Sequence, residues 1–377
     1  MIYASLLTYL KKNINKKKNL IFFLPVFSQG GAGNSILRLC KNIKYRSYNI
    51  FIISIGKNYY KNDFKKLNIC IVELEFKKLF FSIKEIQRII IEIINNNFTN
   101  TFLISNINYA NVICCYYLRN IKFLKIITIE RTPIQELDFY ISIKDFIKKK
   151  IIKFLILTTY KNAHIRIGNS YTVSKDLSKI CNCKVKTLLP FIKITKKKYL
   201  KFKKEKISLL WIGRMSAEKN IDDLINAINY LKDINFELNI LTDNKLILSN
   251  YKIDRTLHKK INLIKFNKKK ISNFYKTSDI LISTSYYEGF PNVIAEAINY
   301  NCFIISADNF GGSKQLISNK KSGLFYKIQD PQNLAEKIKF TIKNISRVKK
   351  MISNSKKNLI TLAKNYNQSY DKLFNKL

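Results

Sequence analysis

The chain has 377 residues, more than twice the ~150 residues of an average domain, so we expect two domains. Hydrophobic residues make up 47% of the chain, with only 10 Gly and 5 Pro, which excludes a mainly disordered, collagenous or low-complexity protein. The net charge of +43 comes from 59 Lys and 9 Arg, and Lys shares AT-rich codons with the abundant Ile and Asn. Such a surface attracts phosphorylated substrates and anionic lipid.

The first half of the chain alternates short apolar runs with amphipathic stretches. A buried strand is predicted at residues 20–27, followed by a glycine loop with Gly30, Gly31 and Gly33 and by a helix at 35–43. Further strands are predicted at residues 49–55, 69–74, 101–105 and 125–129, with a helix at 83–94. Strands that alternate with helices indicate βαβ units around a parallel sheet.

Residues 141–157 have the pattern of a basic amphipathic helix. Apolar residues recur at helical spacing among lysines, namely Ile143, Phe146, Ile147, Ile151, Phe154 and Leu155. Such a helix either lies on an anionic membrane or packs its apolar face in the first domain. We favour packing as its main role. Both roles are compatible, because lysine stems cover a core while their heads face lipid phosphates.

The second half repeats the alternation after a polar, basic linker at residues 193–206. Strands are predicted at 207–212, 236–241, 261–266 and 280–283, and helices at 221–231 and 271–276. We therefore expect an α/β protein with two doubly wound parallel-sheet domains, at about residues 1–195 and 196–377.

The seven cysteines and two histidines favour no metal site. No Cys-x2-Cys pair has a partner pair, and His164 and His258 are too few for a zinc site. Reduced, packed thiols in a cytoplasmic protein are expected. No apolar run approaches the ~18 residues of a membrane span, and residues 1–10 lack the basic start of a signal peptide.

Residues 287–297, YEGFPNVIAEA, form the most informative segment. A buried strand ends before it, Glu288 and Gly289 follow in a short loop, and Pro291 suits the first turn of a helix. Gly289 lets backbone amides approach a ligand closely, and the free N–H groups of the helix start favour an anion or hydroxyl groups. Glu296 lies one and a half turns further, so two carboxylates can reach different parts of one ligand.

No Asp-x-Asp occurs in the sequence. This carboxylate pair is the usual means by which a metal-dependent nucleotide-sugar enzyme holds Mg²⁺ or Mn²⁺ against a diphosphate. We therefore expect no metal and no other cofactor, with a diphosphate leaving group neutralised by cationic side chains and backbone dipoles.

The segment from Glu288 to Glu296 resembles the signature of the retaining GT-B glycosyltransferases of family 4, the glycosyl transferases group 1. The resemblance covers nearly all of the chain from residue 20 onward. It includes residues 210–220, LWIGRMSAEKN, the segments 309–317, 322–324 and 330–335, and the N-terminal glycines. It implies two Rossmann-like domains facing a cleft, with the last helical stretch, 365–377, packing back on the first domain.

The resemblance also implies roles for single residues. Arg214 and Lys219, after Gly213, bind the donor diphosphate and act with Glu288 in catalysis. Glu296 binds the ribose, and Gly31 lets its loop approach the phosphate. The donor sugar is held by Glu288 together with backbone amides of the segment from Gly289 to Asn292, which also contains Phe290 and Pro291. Two carboxylates alone also fit a glycoside hydrolase, but that enzyme needs neither the cation pair nor the glycine loop.

Three departures from the family pattern bear on function. A His that orients the acceptor is missing from residues 128–132, where either Glu130 or Arg131 takes its place or the two form a structural ion pair. Gln315 stands where the family often has Glu, and residues 241–244 replace a Gly-x-Gly turn. The missing His leaves a non-catalytic partner subunit as an alternative.

The sequence as a whole predicts a metal-independent glycosyltransferase. It moves a hexose-type sugar from a UDP- or GDP-sugar to a glycan or lipid-linked acceptor in surface polysaccharide assembly. We expect it in the cytoplasm, with peripheral attachment to an anionic membrane surface as an added role. A nucleic-acid-binding protein is the third alternative; scattered Lys without a recognisable module indicates no nucleic-acid partner.

Overall fold

The computed structural model describes residues 6, 9–10, 18–28, 30–43, 48–76, 78–97, 100–202, 205–243, 250–268 and 270–376. The chain divides into two compact units. Unit 1 comprises Met1–Phe191 and Tyr366–Leu377, and unit 2 comprises Ile192–Asn365. The boundary expected after residue 195 therefore falls a few residues inside unit 2.

Unit 1 is built on a parallel sheet. Its strands are β1 (Lys18–Phe23), β2 (Tyr48–Ile55), β3 (Cys70–Leu74), β4 (Thr101–Asn106), β5 (Leu124–Glu130), β6 (Ile165–Gly168) and β7 (Lys186–Thr187). They are ordered β3-β2-β1-β4-β5-β6-β7. The helices are α1 (Gly31–Asn42), α2 (Lys61–Lys65), α3 (Ile83–Asn97), α4 (Asn108–Tyr117), α5 (Ile143–Thr159) and α6 (Tyr171–Cys181).

The central strands of unit 1 contain long apolar runs because both faces of the sheet are covered. In β1, Ile21 and Phe23 belong to one core cluster, whereas Leu20 and Phe22 belong to another. Side chains alternate between the faces of a strand, so a continuous apolar run is the pattern of a sheet buried on both sides.

Unit 2 has the same architecture. Its strands are β8 (Ile207–Ile212), β9 (Phe236–Thr242), β10 (Ile261–Lys265), β11 (Ile280–Ser283), β12 (Tyr287–Glu288), β13 (Phe303–Ala307), β14 (Phe310–Gly311) and β15 (Leu324–Tyr326). The main sheet is ordered β10-β9-β8-β11-β13-β15, and β12 pairs with β14. The helices are α7 (Ile221–Ile228), α8 (Arg255–His258), α9 (Ile271–Thr277), α10 (Asn292–Asn299), α11 (Ser313–Leu316), α12 (Pro331–Lys343) and α13 (Ile345–Lys376).

Unit 1 also receives the end of α13. Tyr370, Leu373 and Phe374 join one of its core clusters, and the Tyr48 hydroxyl donates a hydrogen bond of 2.8 Å to the carbonyl of Phe374. Leu377 lies outside the described residues.

The α/β class with a parallel sheet in each half is confirmed, while several boundaries differ. The strand predicted at 20–27 ends at Phe23, since Pro25 has no N–H to donate to a ladder. The glycine loop is partly wrong, because α1 begins at Gly31 and includes Gly33. A Cβ on Gly33 would lie 2.7 Å from the Tyr60 ring, so packing explains that glycine.

The thiols and one linker lysine are buried. All seven cysteines are free and all except Cys183 are buried. Lys201, in the segment predicted as a polar, basic linker, is also buried, and its Nζ donates to the carbonyls of Tyr275 and Lys276 at 2.7 and 2.8 Å. These bonds satisfy the last carbonyls of α9.

Helix α5 contradicts the favoured interpretation of residues 141–157. Its buried residues are Ile152, Ile156 and Thr159, whereas Ile143, Phe146, Ile147, Ile151 and Phe154 are exposed. The pattern contained two apolar stripes, and only one of them packs. Among the described residues, no helix is long and apolar enough to cross a membrane.

Candidate functional site

The candidate site of unit 2 lies where the order of its strands reverses. β8 has β9 on one side and β11 on the other, and ligands of open α/β sheets bind beyond the carboxyl ends of strands at such a point. Arg214 and Lys219 follow β8, and Glu288 follows β11. The topology therefore brings these three predicted residues to one edge of the sheet.

Lys219 and Glu288 form the central contact of this site. The Lys219 Nζ lies 2.5 Å from Oε1 of Glu288, and both side chains are about one-fifth exposed, at 21% and 19%. The Ser285 hydroxyl donates to the same Oε1 at 2.9 Å. The pair is thus held in place while it stays open to a ligand.

The loop that contains Lys219 is held in place by a hydrogen bond from Thr284, the residue after β11. The Thr284 hydroxyl donates to the Lys219 carbonyl at 2.6 Å and accepts a hydrogen bond of 3.0 Å from the indole N–H of Trp211. A Cβ on Gly213 would lie 2.6 Å from the Trp211 ring. Gly213, predicted to serve the donor, is therefore also required by the packing of Trp211.

Arg214 extends into solvent. Its Nη2 lies 3.2 Å from Oε1 of Glu218, and its side chain is 67% exposed. Glu218 is held in turn by the Ser216 hydroxyl, which donates to it at 2.6 Å. Because an exposed ion pair of this kind is weak, Arg214 can turn to an anionic ligand at little cost.

The start of α10 differs in detail from the prediction. Glu288 lies in the short strand β12 rather than in a loop, and Pro291 is the N-cap of α10 rather than its first helical residue. Gly289, Phe290 and Pro291 are buried, and Asn292 is partly exposed. Of these four residues, Asn292 is the one that is partly exposed and could contact a ligand.

Glu296 lies beside a group of tyrosines that the sequence did not single out. The Tyr275 hydroxyl donates to Oε2 of Glu296 at 3.0 Å, and the Tyr275 ring stacks on Tyr300 at a centroid distance of 5.6 Å. The hydrogen bond orients the carboxylate that the resemblance assigns to the ribose.

A second network positions the backbone of Glu288. β12 pairs with β14 so that Glu288 lies opposite Gly311, and the Gly312 N–H donates to the Glu288 carbonyl at 3.1 Å. The Asn309 side chain donates to the Ser285 carbonyl at 2.7 Å and accepts from Ser313 at 2.9 Å. Sequence reasoning missed Ser285 and Asn309, although Asn309 opens a segment that resembles the family.

In unit 1, Gly31 is the exposed first residue of α1. Glu130 is the last residue of β5 and Arg131 follows it, and the two side chains contact different partners. Glu130 is buried and accepts a hydrogen bond of 2.8 Å from the Tyr160 hydroxyl. Arg131 donates through Nε and Nη2 to Oδ1 of Asn106 at 3.0 and 2.7 Å.

Burial shifts the pKa values of both groups. It raises the pKa of Glu130 to about 7, opposed by the hydrogen bond from Tyr160. It lowers the pKa of Arg131 to about 10, so Arg131 remains charged near neutral pH.

The raised pKa of Glu130 makes the stability of unit 1 depend on pH. Between about pH 4.5 and 7 the unfolded chain loses a proton that the folded chain keeps, so stability falls as pH rises through that window. Replacing Glu130 with Gln removes the ionisable group. We expect the difference in Tm, variant minus wild type, to increase from pH 4.5 to 7.5, as measured by circular dichroism. A pH-independent difference would contradict the burial of an ionisable Glu130.

The two histidines lie apart from these groups. His164 accepts a hydrogen bond of 3.1 Å from the Ile126 N–H through Nδ1, and burial lowers its pKa. Within the described ranges, no three His, Cys, Asp or Glu side chains come together in a group that could hold a metal ion.

The sequence match to a known family falls on unit 2. Residues 192–358 match the family model described as Glycosyl transferases group 1, and this range contains Arg214, Lys219, Glu288 and Glu296. Unit 2 is a group 1 glycosyltransferase domain. The resemblance stated from the motifs is thereby confirmed for this half of the chain.

Two curated relatives show the same similarity over part of their length. The first is a GalNAc-alpha-(1->4)-GalNAc-alpha-(1->3)-diNAcBac-PP-undecaprenol alpha-1,4-N-acetyl-D-galactosaminyltransferase of Campylobacter jejuni, 28% identical over 41% of this chain and 44% of the relative. The second is the capsular polysaccharide biosynthesis glycosyltransferase CapH of Staphylococcus aureus, 32% identical over 28% of this chain and 32% of the relative. The matches thus span less than half of either relative.

Solved structures resemble the whole chain. The structure of Anabaena Alr3699/HepE in complex with UDP and glucose has a TM-score of 0.72 and 15% identity, and covers 95% of this chain and 100% of that one. At this identity the likeness concerns the fold. Together with the two parallel sheets, it shows that the group 1 glycosyltransferase domain is half of a GT-B fold.

Proposed function

We propose that the chain is a glycosyltransferase that moves a hexose-type sugar from a UDP- or GDP-sugar to a glycan or lipid-linked acceptor, with retention of configuration and without a metal. The observation that carries the proposal is the Lys219–Glu288 pair, 2.5 Å apart beside the exposed Arg214, in a group 1 glycosyltransferase domain. The Anabaena neighbour was crystallised with UDP and glucose, which supports a nucleotide-sugar donor.

The residues suit the chemistry of a diphosphate leaving group. Negative charge grows on the diphosphate as its bond to the sugar breaks, and the Lys219 and Arg214 cations stabilise that charge more in the transition state than in the ground state. Glu288 accepts hydrogen bonds from sugar hydroxyls, and Glu296, oriented by Tyr275, accepts them from the ribose. Because the Lys219 and Arg214 cations neutralise the leaving group in this proposal, the reaction needs no metal ion.

Unit 1 supplies the acceptor side in this proposal. Arg131 is partly exposed and fixed by Asn106, whereas Glu130 is buried against Tyr160. We therefore assign the acceptor contact to Arg131 and a supporting role to Glu130. The C. jejuni relative is named for an undecaprenol-linked acceptor and CapH for capsular polysaccharide, which supports a lipid-linked glycan and attachment to the inner membrane surface.

A thermal-shift screen against nucleotide sugars tests the proposal. A ligand at 100 times its Kd stabilises the native state by about 2.7 kcal/mol, so one UDP- or GDP-sugar is expected to raise the Tm by several degrees. The shift should shrink in Lys219→Ala and persist in EDTA. Stabilisation by DNA or heparin but by no nucleotide sugar would overturn the proposal. A shift that needs Mg²⁺ or Mn²⁺ would overturn its metal independence.

A further inference from the structure

Helix α5 presents an apolar surface that the fold of unit 1 leaves uncovered. Ile147, Ile151 and Phe154 are 52%, 53% and 63% exposed, although a soluble helix usually places polar residues on its outer side. Contiguous exposed apolar surface of this kind marks an interaction site.

Part of this surface is one wall of a groove between α4 and α5. The groove has a volume of about 520 Å³, within the range of sites that bind small molecules. Val112 and Ile113 line it from α4, and Ile147, Ile151 and Leu155 line it from α5. The α5 residues recur every four positions, so they form a continuous apolar strip along the groove.

The charge of the groove is concentrated at one end. Lys144 and Lys148, one turn apart near the start of α5, also line it. In the part of the chain that the structure describes, neither belongs to an ion pair. In contrast, Lys149 pairs with Asp145 at 3.1 Å, and Lys150 and Lys153 pair with Asp138 at 3.8 and 3.0 Å. The two lysines that line the groove are thus the α5 lysines without an ion pair, although the hydrogen bond from Lys149 and, after it, the charge of Lys148 lower the pKa of Asp145.

This arrangement leaves positive charge that an anion would neutralise. Like charges one turn apart repel each other, and a cation in the first turn of a helix also opposes the helix dipole. Lys144 meets both conditions. A ligand with an anionic head and an apolar tail matches the lysine end and the apolar strip together.

Aromatic residues in the last turn of α4, one turn after Val112 and Ile113, favour a lipid over a soluble ligand. Tyr116 and Tyr117, in the last turn of α4, are 49% and 42% exposed, and Phe80 packs edge-on against Tyr117. The Arg119 guanidinium lies 5.3 Å from the centre of the Tyr116 ring. Exposed aromatic rings next to cations are typical of surfaces at the membrane–water interface.

We propose that the groove between α4 and α5 binds a single phosphate-bearing lipid of the membrane surface. Its phosphate lies between Lys144 and Lys148, and its hydrocarbon chain lies along Ile147, Ile151 and Leu155. This proposal rests on the membrane attachment proposed above and assigns a lipid-binding site to it. Its test measures lipid binding alone, so its failure would leave sugar transfer untouched, and the failure of sugar transfer would leave the groove untouched.

Titration calorimetry with decyl phosphate, below its micelle concentration, tests the groove directly. The full chain is expected to bind this probe, and Lys144→Glu/Lys148→Glu to bind it about ten-fold more weakly or worse, because two attractions become repulsions. Lys65→Glu/Lys66→Glu makes the same charge change at exposed sites of unit 1 and is expected to bind normally. Inorganic phosphate and decanol, which each lack one half of the probe, are expected to bind at least about ten-fold more weakly than decyl phosphate.

Sedimentation with phosphatidylcholine vesicles that contain phosphatidylglycerol extends the test to a membrane. The groove variant is expected to sediment less than the Lys65→Glu/Lys66→Glu control, with both variants retaining the wild-type Tm. Equal losses in the two variants would show diffuse attraction by lysines. Inorganic phosphate binding as tightly as decyl phosphate would show a free-anion site. A dimer that dissociates in the groove variant would show that a second copy covers the groove. Each of these results would overturn the proposal.

Discussion

Replacing Lys219 or Glu288 with alanine is expected to lower the rate of sugar transfer by about 100-fold or more, the usual effect of removing one preorganised charge or donor from a transition state. Lys219→Ala removes the cation that we propose for the leaving diphosphate. Glu288→Ala removes both the acceptor that we propose for sugar hydroxyls and the group that holds the Lys219 Nζ at 2.5 Å. The measurement is turnover with the nucleotide sugar that the thermal screen identifies.

The fold is expected to survive both changes. The two side chains are about one-fifth exposed, so removing one partner leaves the other charge largely buried and unpaired. We therefore expect a lower Tm with the fold retained. Lys339→Ala is the matched control, because Lys339 pairs with Asp233 at 3.0 Å elsewhere in unit 2. It is expected to keep wild-type turnover. Near-normal turnover in Lys219→Ala and in Glu288→Ala would show that the catalytic group lies elsewhere.

The α/β architecture was predictable because each buried strand leaves a continuous apolar run. β2, β5, β8 and β11 coincide with predicted strands to within a few residues. Short or weakly patterned elements were missed, including β6, with four residues, and α6. β6 contains Arg166 and Gly168 and so lacks the continuous apolar run by which β11, of the same length, was predicted. Its place in the sheet is specified by its pairing with β5 and β7.

The exposed side of α5 shows the limit of the amphipathic pattern. A stripe of apolar residues along a helix indicates which residues could be buried. When a helix has two such stripes, the elements that pack against it decide which of the two is buried. In α5, Ile152 and Ile156 are buried in a cluster with Val112 and Leu177, while Ile147 and Ile151 stay outside. Those partners come from other helices, and a single helix sequence does not identify them.

The sequence predicted the charged residues of the candidate site but not the side chains that hold them in place by hydrogen bonds. Lys219 and Glu288 belong to the sequence motifs in which the chain resembles the family. The bonds from Tyr275 to Glu296 and from Tyr160 to Glu130 join residues 21 and 30 positions apart. Such bonds arise where elements that are distant in the sequence pack together, so no local pattern in the sequence signals them.

Gly311 allows a direct test of what positions Glu288. We expect Gly311→Ala to lower the rate of sugar transfer by roughly 100-fold, which is the effect of misplacing a reacting group by about 1 Å. Gly311 has φ 133°, and a Cβ on it would lie 1.6 Å from the Glu288 carbonyl oxygen. The added methyl group must therefore separate β14 from β12 and shift Glu288 away from Lys219.

Gly56→Ala separates this effect from backbone strain. Gly56 has φ 80° with no heavy atom within 4 Å of a Cβ, so that variant is expected to lose roughly 1–2 kcal/mol of stability and to keep wild-type turnover. Urea unfolding and steady-state transfer measure both variants. If Gly311→Ala loses stability as Gly56→Ala does but transfers sugar normally, then the pairing of β12 with β14 is not what positions Glu288. The expected result, a loss of turnover confined to Gly311→Ala, would show that the backbone of a neighbouring strand positions the Glu288 carboxylate for sugar transfer.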